Sequence, residues 1–217
     1  MLRRQFARVQ ARDLETFTGQ VETLISTFRD SKGVVDLQPA FFRFTLSTTT
    51  ALLFGESIDE TLSEAEQAEF AEHFDSATWA TAVRLPLAHL SFLYNTPSYR
   101  KSCKIVRRYA DYFIEKAFQY AHDHGQEQAT GKYPFIFDLH NEYQDRSLVR
   151  DQLVNVLLAG RDTTPCTMSW TIIHLVRHPE MLQRLREEIN EVISSGTMIT
   201  RSHTKNMSYL NAVLNES

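Results

Sequence analysis

The run Ala159-Gly160-Arg161-Asp162-Thr163-Thr164-Pro165 combines residue types that a plain helix interior disfavours. Gly and Thr weaken helices. Proline at 165 lacks an N–H, and its ring crowds the carbonyl of Arg161, at a cost of ~3 kcal/mol. These choices predict a widened, distorted helical turn. Beside small Ala159 and Gly160, such a turn could let a flat cofactor and a diatomic ligand approach the backbone. The Thr163 hydroxyl could then hydrogen-bond dioxygen. Asp162, one residue away, could pass protons to it through water. The motif alone suits a structural reading equally well, in which Gly160 permits close helix packing, Pro165 gives a kink and Asp162 is solvated.

The element that must position this run is the longest helix in the sequence, predicted over residues 145–178. Its neighbours are also helical. Leu14, Phe17, Val21, Leu24, Ile25 and Phe28 recur at helical spacing, so residues 3–29 read as amphipathic helix closing near Gly33. Residues 39–54 are apolar nearly all round, as in a helix buried within a larger body. Ser63 caps a helix over 64–84 that opens with acidic Glu64 and Glu66. After Asn95-Thr96-Pro97, an aromatic and basic helix spans 98–124, and GQEQATGKYP then reads as a surface loop. Pro179 opens a charged helix ending near Gly196, and Ser208 caps a last one.

Composition agrees with an all-α class. The 217 residues are 42% hydrophobic and 23% charged, which suits a folded core, and only 7 Gly and 6 Pro leave few turns for short strands. A net charge of -4 lacks the basic footprint of a nucleic-acid binder. Cys103 and Cys166 are too far apart for a Cys-x-x-Cys metal pair and form no disulfide framework; both read as buried or inert thiols. No apolar run approaches the ~20 residues that cross a bilayer, and the opening MLRRQFARVQARDLE reads as ordinary helix. His174 and His178 share a helix face near Glu180, and His122-Asp123-His124 sits before Gly125, but a helix cap at His178 and a solvated helix end at 122–124 explain them better than a metal site.

The flanking sequence decides how the motif is read. Ala-Gly-x-Asp-Thr-Thr followed by HPEMLQRLREEI resembles the centre of cytochrome P-450 enzymes. QPAFFRFTLSTTTALLFGES, YRKSCKIVRRYAD and LRRQFAR extend the resemblance to fungal members that hydroxylate n-alkanes and fatty acids. It covers nearly all of residues 1–217, as a single partial domain from the end of the third lettered helix to the start of the Glu-x-x-Arg helix, with the β-rich regions mostly missing.

The resemblance implies a haem-thiolate monooxygenase that inserts one atom of O2 into an apolar substrate. Haem b would be the cofactor, with NADPH-derived electrons arriving through a cytochrome P-450 reductase at the endoplasmic reticulum membrane; no anchor is present in these residues. It assigns Ala159 and Gly160 to the haem and oxygen groove, Asp162 to the proton relay and Thr163 to the hydroxyl beside oxygen. Residues 64–124 would be a lid over the substrate channel, with Phe74, Trp79 and Leu87 as apolar contacts, although plain core packing explains each of these singly. Glu216 stands where the family has the Glu of its Glu-x-x-Arg pair.

The sequence also departs from the family. The Phe-x-x-Gly-x-x-x-Cys-x-Gly loop that supplies the axial thiolate is not among these residues, and neither Cys103 nor Cys166 has its glycines. The competing reading is therefore a truncated, inactive helical product that at most packs or pairs with another chain.

Overall fold

The computed structural model describes residues 17–31, 33–193 and 199–217. Among them the chain is helical, without strands. The helices are α1 (Thr18–Asp30), α2 (Leu37–Phe54), α3 (Ile58–Thr61), α4 (Glu64–Arg84), α5 (Pro97–His124), α6 (Gln126–Lys132), α7 (Pro134–Tyr143), α8 (Arg146–Arg177), α9 (Pro179–Val192), α10 (Arg201–Asn206) and α11 (Ser208–Glu216), with a 3-10 helix over Ala88–Tyr94. They fall into two compact units, residues 49–159 and the combination of 1–48 with 160–217.

In the 49–159 unit, the start of α4 follows directly from its sequence. Ser63 Oγ accepts from the Glu66 N–H while the Glu66 carboxylate accepts from the Ser63 N–H, a reciprocal capping box. The face of α4 that carries Phe70 and Phe74 packs on α5, where Phe70 meets Tyr109 edge-on with centroids 5.2 Å apart. Phe54 and Phe113 stack 4.6 Å apart deeper in the same core. Thr96 caps α5 by accepting from the Tyr99 N–H, and Pro97 occupies its first position.

The segment GQEQATGKYP is not a surface loop. Gly125, at φ 91, ends α5 in a backbone region open to glycine, and α6 starts at once. Ala129 and Tyr133 are buried at 0% and 1% exposure, so this polar-looking stretch hides one apolar face. Tyr133 also reaches Glu56: its hydroxyl donates to Oε1 at 2.5 Å, Lys132 Nζ lies 2.8 Å from the same oxygen, and Lys116 pairs with Oε2. Burial alone would raise the Glu56 carboxyl, but hydrogen bonds from Lys116, Lys132 and Tyr133 override it and hold the group at about 2. The Tyr133 phenol is pushed up to about 12, by burial first and the Glu56 hydrogen bond second.

In the other unit, Leu175 of α8, Leu185 of α9 and Val213 of α11 form an apolar cluster joined by Met181, Leu182, Ile189, Tyr209 and Leu210. Here the expected cap of the last helix is replaced. Ser208 lies inside α11, and Glu188 of α9 supplies the cap, accepting from the N–H groups of Tyr209 and Leu210 at 2.7 and 2.8 Å. A carboxylate at a helix N-terminus meets unpaired donors and the positive end of the helix dipole, which an internal serine does not match. The expected helix over residues 3–29 is described only from Thr18, and the expected end near Gly196 lies outside the described residues.

Candidate functional site

The 159–165 run lies in the middle of α8, and the helix continues from Arg146 to Arg177 with Pro165 inside it. The helix is unbroken at Pro165. A physical reason lies in α2: Thr45 Oγ1 donates to the Arg161 carbonyl at 2.9 Å, and this is the carbonyl that would otherwise accept the N–H that Pro165 lacks. Both residues are 3% exposed.

Arg161 was not singled out as a site residue in the sequence, yet with Pro165 it is a buried member of the motif. Its guanidinium lies over the Phe42 ring, 5.2 Å from the centroid, and its Nη1 donates to Asp162 Oδ1 at 3.0 Å. The Asp162 side chain is 31% exposed. The motif therefore has an inner side, with Arg161 and Pro165, and an outer one, with Ala159, Thr163 and Thr164 exposed. Ala159 and Thr163 are four residues apart, so the helical repeat sets them on one face. Small residues at 159 and 160 with a hydroxyl at 163 suit the close approach of a flat group to the backbone. The axial thiolate is a different matter, because Cys103 and Cys166 both sit within helices; Cys166, expected to be buried or inert, is exposed.

A cavity of about 330 Å³ opens wholly within the 49–159 unit, between α4, α5 and the first half of α8. Its apolar walls include Phe74, Val106, Val154 and Leu158, and Cys103 also lines it. Of the three lid residues named from the sequence, only Phe74 lines this cavity. Trp79 is 63% exposed and meets Tyr94 edge-on, and Leu87 is half-buried in the turn before the 3-10 helix. One end of the cavity is charged. Asp151 Oδ1 lies 3.7 Å from Arg107 Nε and 3.0 Å from Arg150 Nε. No sequence signal pointed to this cluster, since Arg107 lies on α5 and the adjacent Arg150 and Asp151 on α8, and their types are ordinary for helix surfaces.

Glu216 is exposed at the last turn of α11. His178 occupies the position before α9, where its side chain caps no backbone N–H but lies 3.4 Å from Glu180. Among the described residues, no group of three or more His, Cys, Asp or Glu side chains is placed to hold a metal ion. Among the same residues, no helix is long and apolar enough to cross a membrane.

The family model described as Cytochrome P450 matches residues 4–217. A "Cytochrome P450" of Arthroderma benhamiae is 37% identical over 224 residues, covering 100% of this chain and 45% of that protein. "Cytochrome P450 52A12" of Debaryomyces hansenii is 35% identical over 233 residues, again covering 100% of this chain and 45% of its own length. In three dimensions, the haem domain of cytochrome P450DA superposes with a TM-score of 0.71 at 16% identity, over 93% of this chain and 44% of that one. The chain thus spans under half the length of these relatives.

Proposed function

From the premise that this chain belongs to the cytochrome P450 family, we propose that the whole protein is a haem-thiolate monooxygenase inserting one oxygen atom of O2 into a C–H bond of an apolar substrate. The substrate class we infer is n-alkanes or fatty acids. The observation that carries the reading is the exposed Ala159–Thr163 face of α8, set against the buried Arg161 and Pro165.

Haem b, when bound beside Ala159, Gly160 and Thr163, would supply dioxygen activation, with NADPH-derived electrons delivered through a reductase. The chain's own residues do the rest. Ala159 and Gly160 present no bulk, so the α8 backbone can border the haem plane. Thr163 places a hydroxyl, both donor and acceptor, on that border. Asp162 holds an exchangeable proton site next to it, and Arg161 orients that carboxylate through the 3.0 Å hydrogen bond. Residues 64–124 serve as a lid, and the cavity beneath α4 and α5 offers apolar wall for a substrate body at Phe74, Val106 and Leu158. We place the complete protein at the endoplasmic reticulum membrane.

Thr163→Ala in the complete protein tests the assignment. NADPH consumption should continue while product per NADPH falls several-fold and hydrogen peroxide appears. Unchanged product yield per NADPH would remove Thr163 from this role.

A further inference from the structure

At position 165 a regular helix loses a backbone hydrogen bond, and a hydroxyl from another helix lies at the carbonyl left without it. An α-helical carbonyl at Arg161 accepts from the N–H four residues on, and proline has none. The hydroxyl of Thr45 donates to that carbonyl at 2.9 Å, from 116 positions earlier in the chain. A helical threonine usually returns its proton to its own helix. Here the local acceptor, the Phe42 carbonyl, lies farther off, at 3.2 Å.

Phe42, one turn before Thr45 on the same face of α2, holds the guanidinium of the same arginine. The α2 helix thus engages Arg161 twice, once at the carbonyl through Thr45 and once at the side chain through Phe42. The guanidinium in turn holds Asp162. Thr163 follows two residues after the carbonyl that Thr45 engages.

We propose that Thr45 is a positioning residue for the turn that carries Asp162 and Thr163, its hydroxyl standing in for the N–H that Pro165 lacks and keeping that turn on a regular helical course. Without this bond, the carbonyl of Arg161 tilts away from the proline ring and α8 bends at the position of Thr163. The proposal rests on the oxygen-turn reading for its catalytic meaning, but the hydrogen bond itself can be tested without haem.

The test is native-state amide exchange on the 217-residue chain with Thr45→Val, Thr45→Ser, Pro165→Ala and the Thr45→Val/Pro165→Ala double variant. Thr45→Val should speed exchange at least tenfold at amides of the Arg161–Thr167 turn and leave those around Leu185 and Val213 unchanged, and Thr45→Ser should restore the slow rates. In the Pro165→Ala background, residue 165 has its own N–H, so adding Thr45→Val should change the turn's exchange less than twofold. If Thr45→Val alone fails to fold, the comparison of Pro165→Ala with the double variant still decides. Equal acceleration at all amides, or an effect of Thr45→Val that Pro165→Ala does not reduce, would overturn the proposal. Peroxide release by the Thr45→Val form of the complete protein separates the two claims. Increased release supports both, whereas local loosening with unchanged release keeps the Thr45 bond and sinks the oxygen-turn reading.

Discussion

Glu56 shows how one side chain can act as a pH-dependent clasp. Its carboxylate is 12% exposed and accepts from Lys116, Lys132 and Tyr133, which join the end of α2 to α5 and to the α6–α7 junction. Its folded value of about 2, against an ordinary 4.5, corresponds to ~3 kcal/mol of stability at neutral pH. The sign follows from the depression: the contribution is full above 4.5, where the unfolded chain is also ionised, and is lost as pH falls through about 2. Glu56→Gln should therefore destabilise the chain at pH 7. Urea titrations from neutral pH downwards should show the parent losing more stability than the variant between 4.5 and 2. Parallel pH curves for the two proteins would refute the clasp. None of this was legible in the sequence, because Glu56 sits 60 residues from Lys116 and 77 from Tyr133, with no local pattern joining them. Thr45 stayed hidden for the same reason. The chemistry-bearing types at Asp162 and Thr163, by contrast, stand out because they are locally wrong for a helix, and local contradiction is what a sequence displays best.

At the level of elements, helical periodicity and caps were readable wherever a helix meets an ordinary boundary. Ser63 with Glu66, Thr96 with Pro97, and Pro179 all stand at the starts the sequence indicates. The reading failed where a start is set from elsewhere, as with Glu188 capping α11, or where a short polar helix buries only Ala129 and Tyr133. The α6–α7 junction also explains a glycine. Gly55 has φ +74, and a Cβ there would lie 2.5 Å from the Lys132 carbonyl oxygen and 2.8 Å from the Tyr133 ring. Gly125 has φ +91 with nothing within 4 Å of such a Cβ. At both positions the positive φ costs a substituted residue ~1–3 kcal/mol, but only Gly55 adds a collision with backbone. Gly55→Ala should therefore lower the thermal midpoint by clearly more than Gly125→Ala. Equal losses would mean that the junction yields freely.

At the scale of the whole molecule, the chain belongs to the cytochrome P450 family over residues 4–217. Its relatives are more than twice as long, with the chain covering 45% of each. The helix that carries Ala159–Thr163 is here, and so is an apolar cavity, and the two thiols are Cys103 within α5 and Cys166 within α8. A useful axial thiolate needs a lowered thiol pKa, which helix N-termini, nearby cations or a metal provide, and a loop that can turn the sulfur towards the iron. Cys103 lines the cavity from mid-helix, and Cys166 lies three residues beyond Thr163 on the same continuous helix. Both sulfurs sit within helices, without the flanking glycines that would let a loop turn them towards an iron. The 217-residue chain, supplied with haem and reduced under carbon monoxide, should therefore lack the red-shifted Soret band of a thiolate-ligated adduct. Should that band appear, Cys103→Ser and Cys166→Ser would identify the sulfur responsible, and loss of the band in either variant would show that a helical cysteine can ligate here, against the argument from loop geometry.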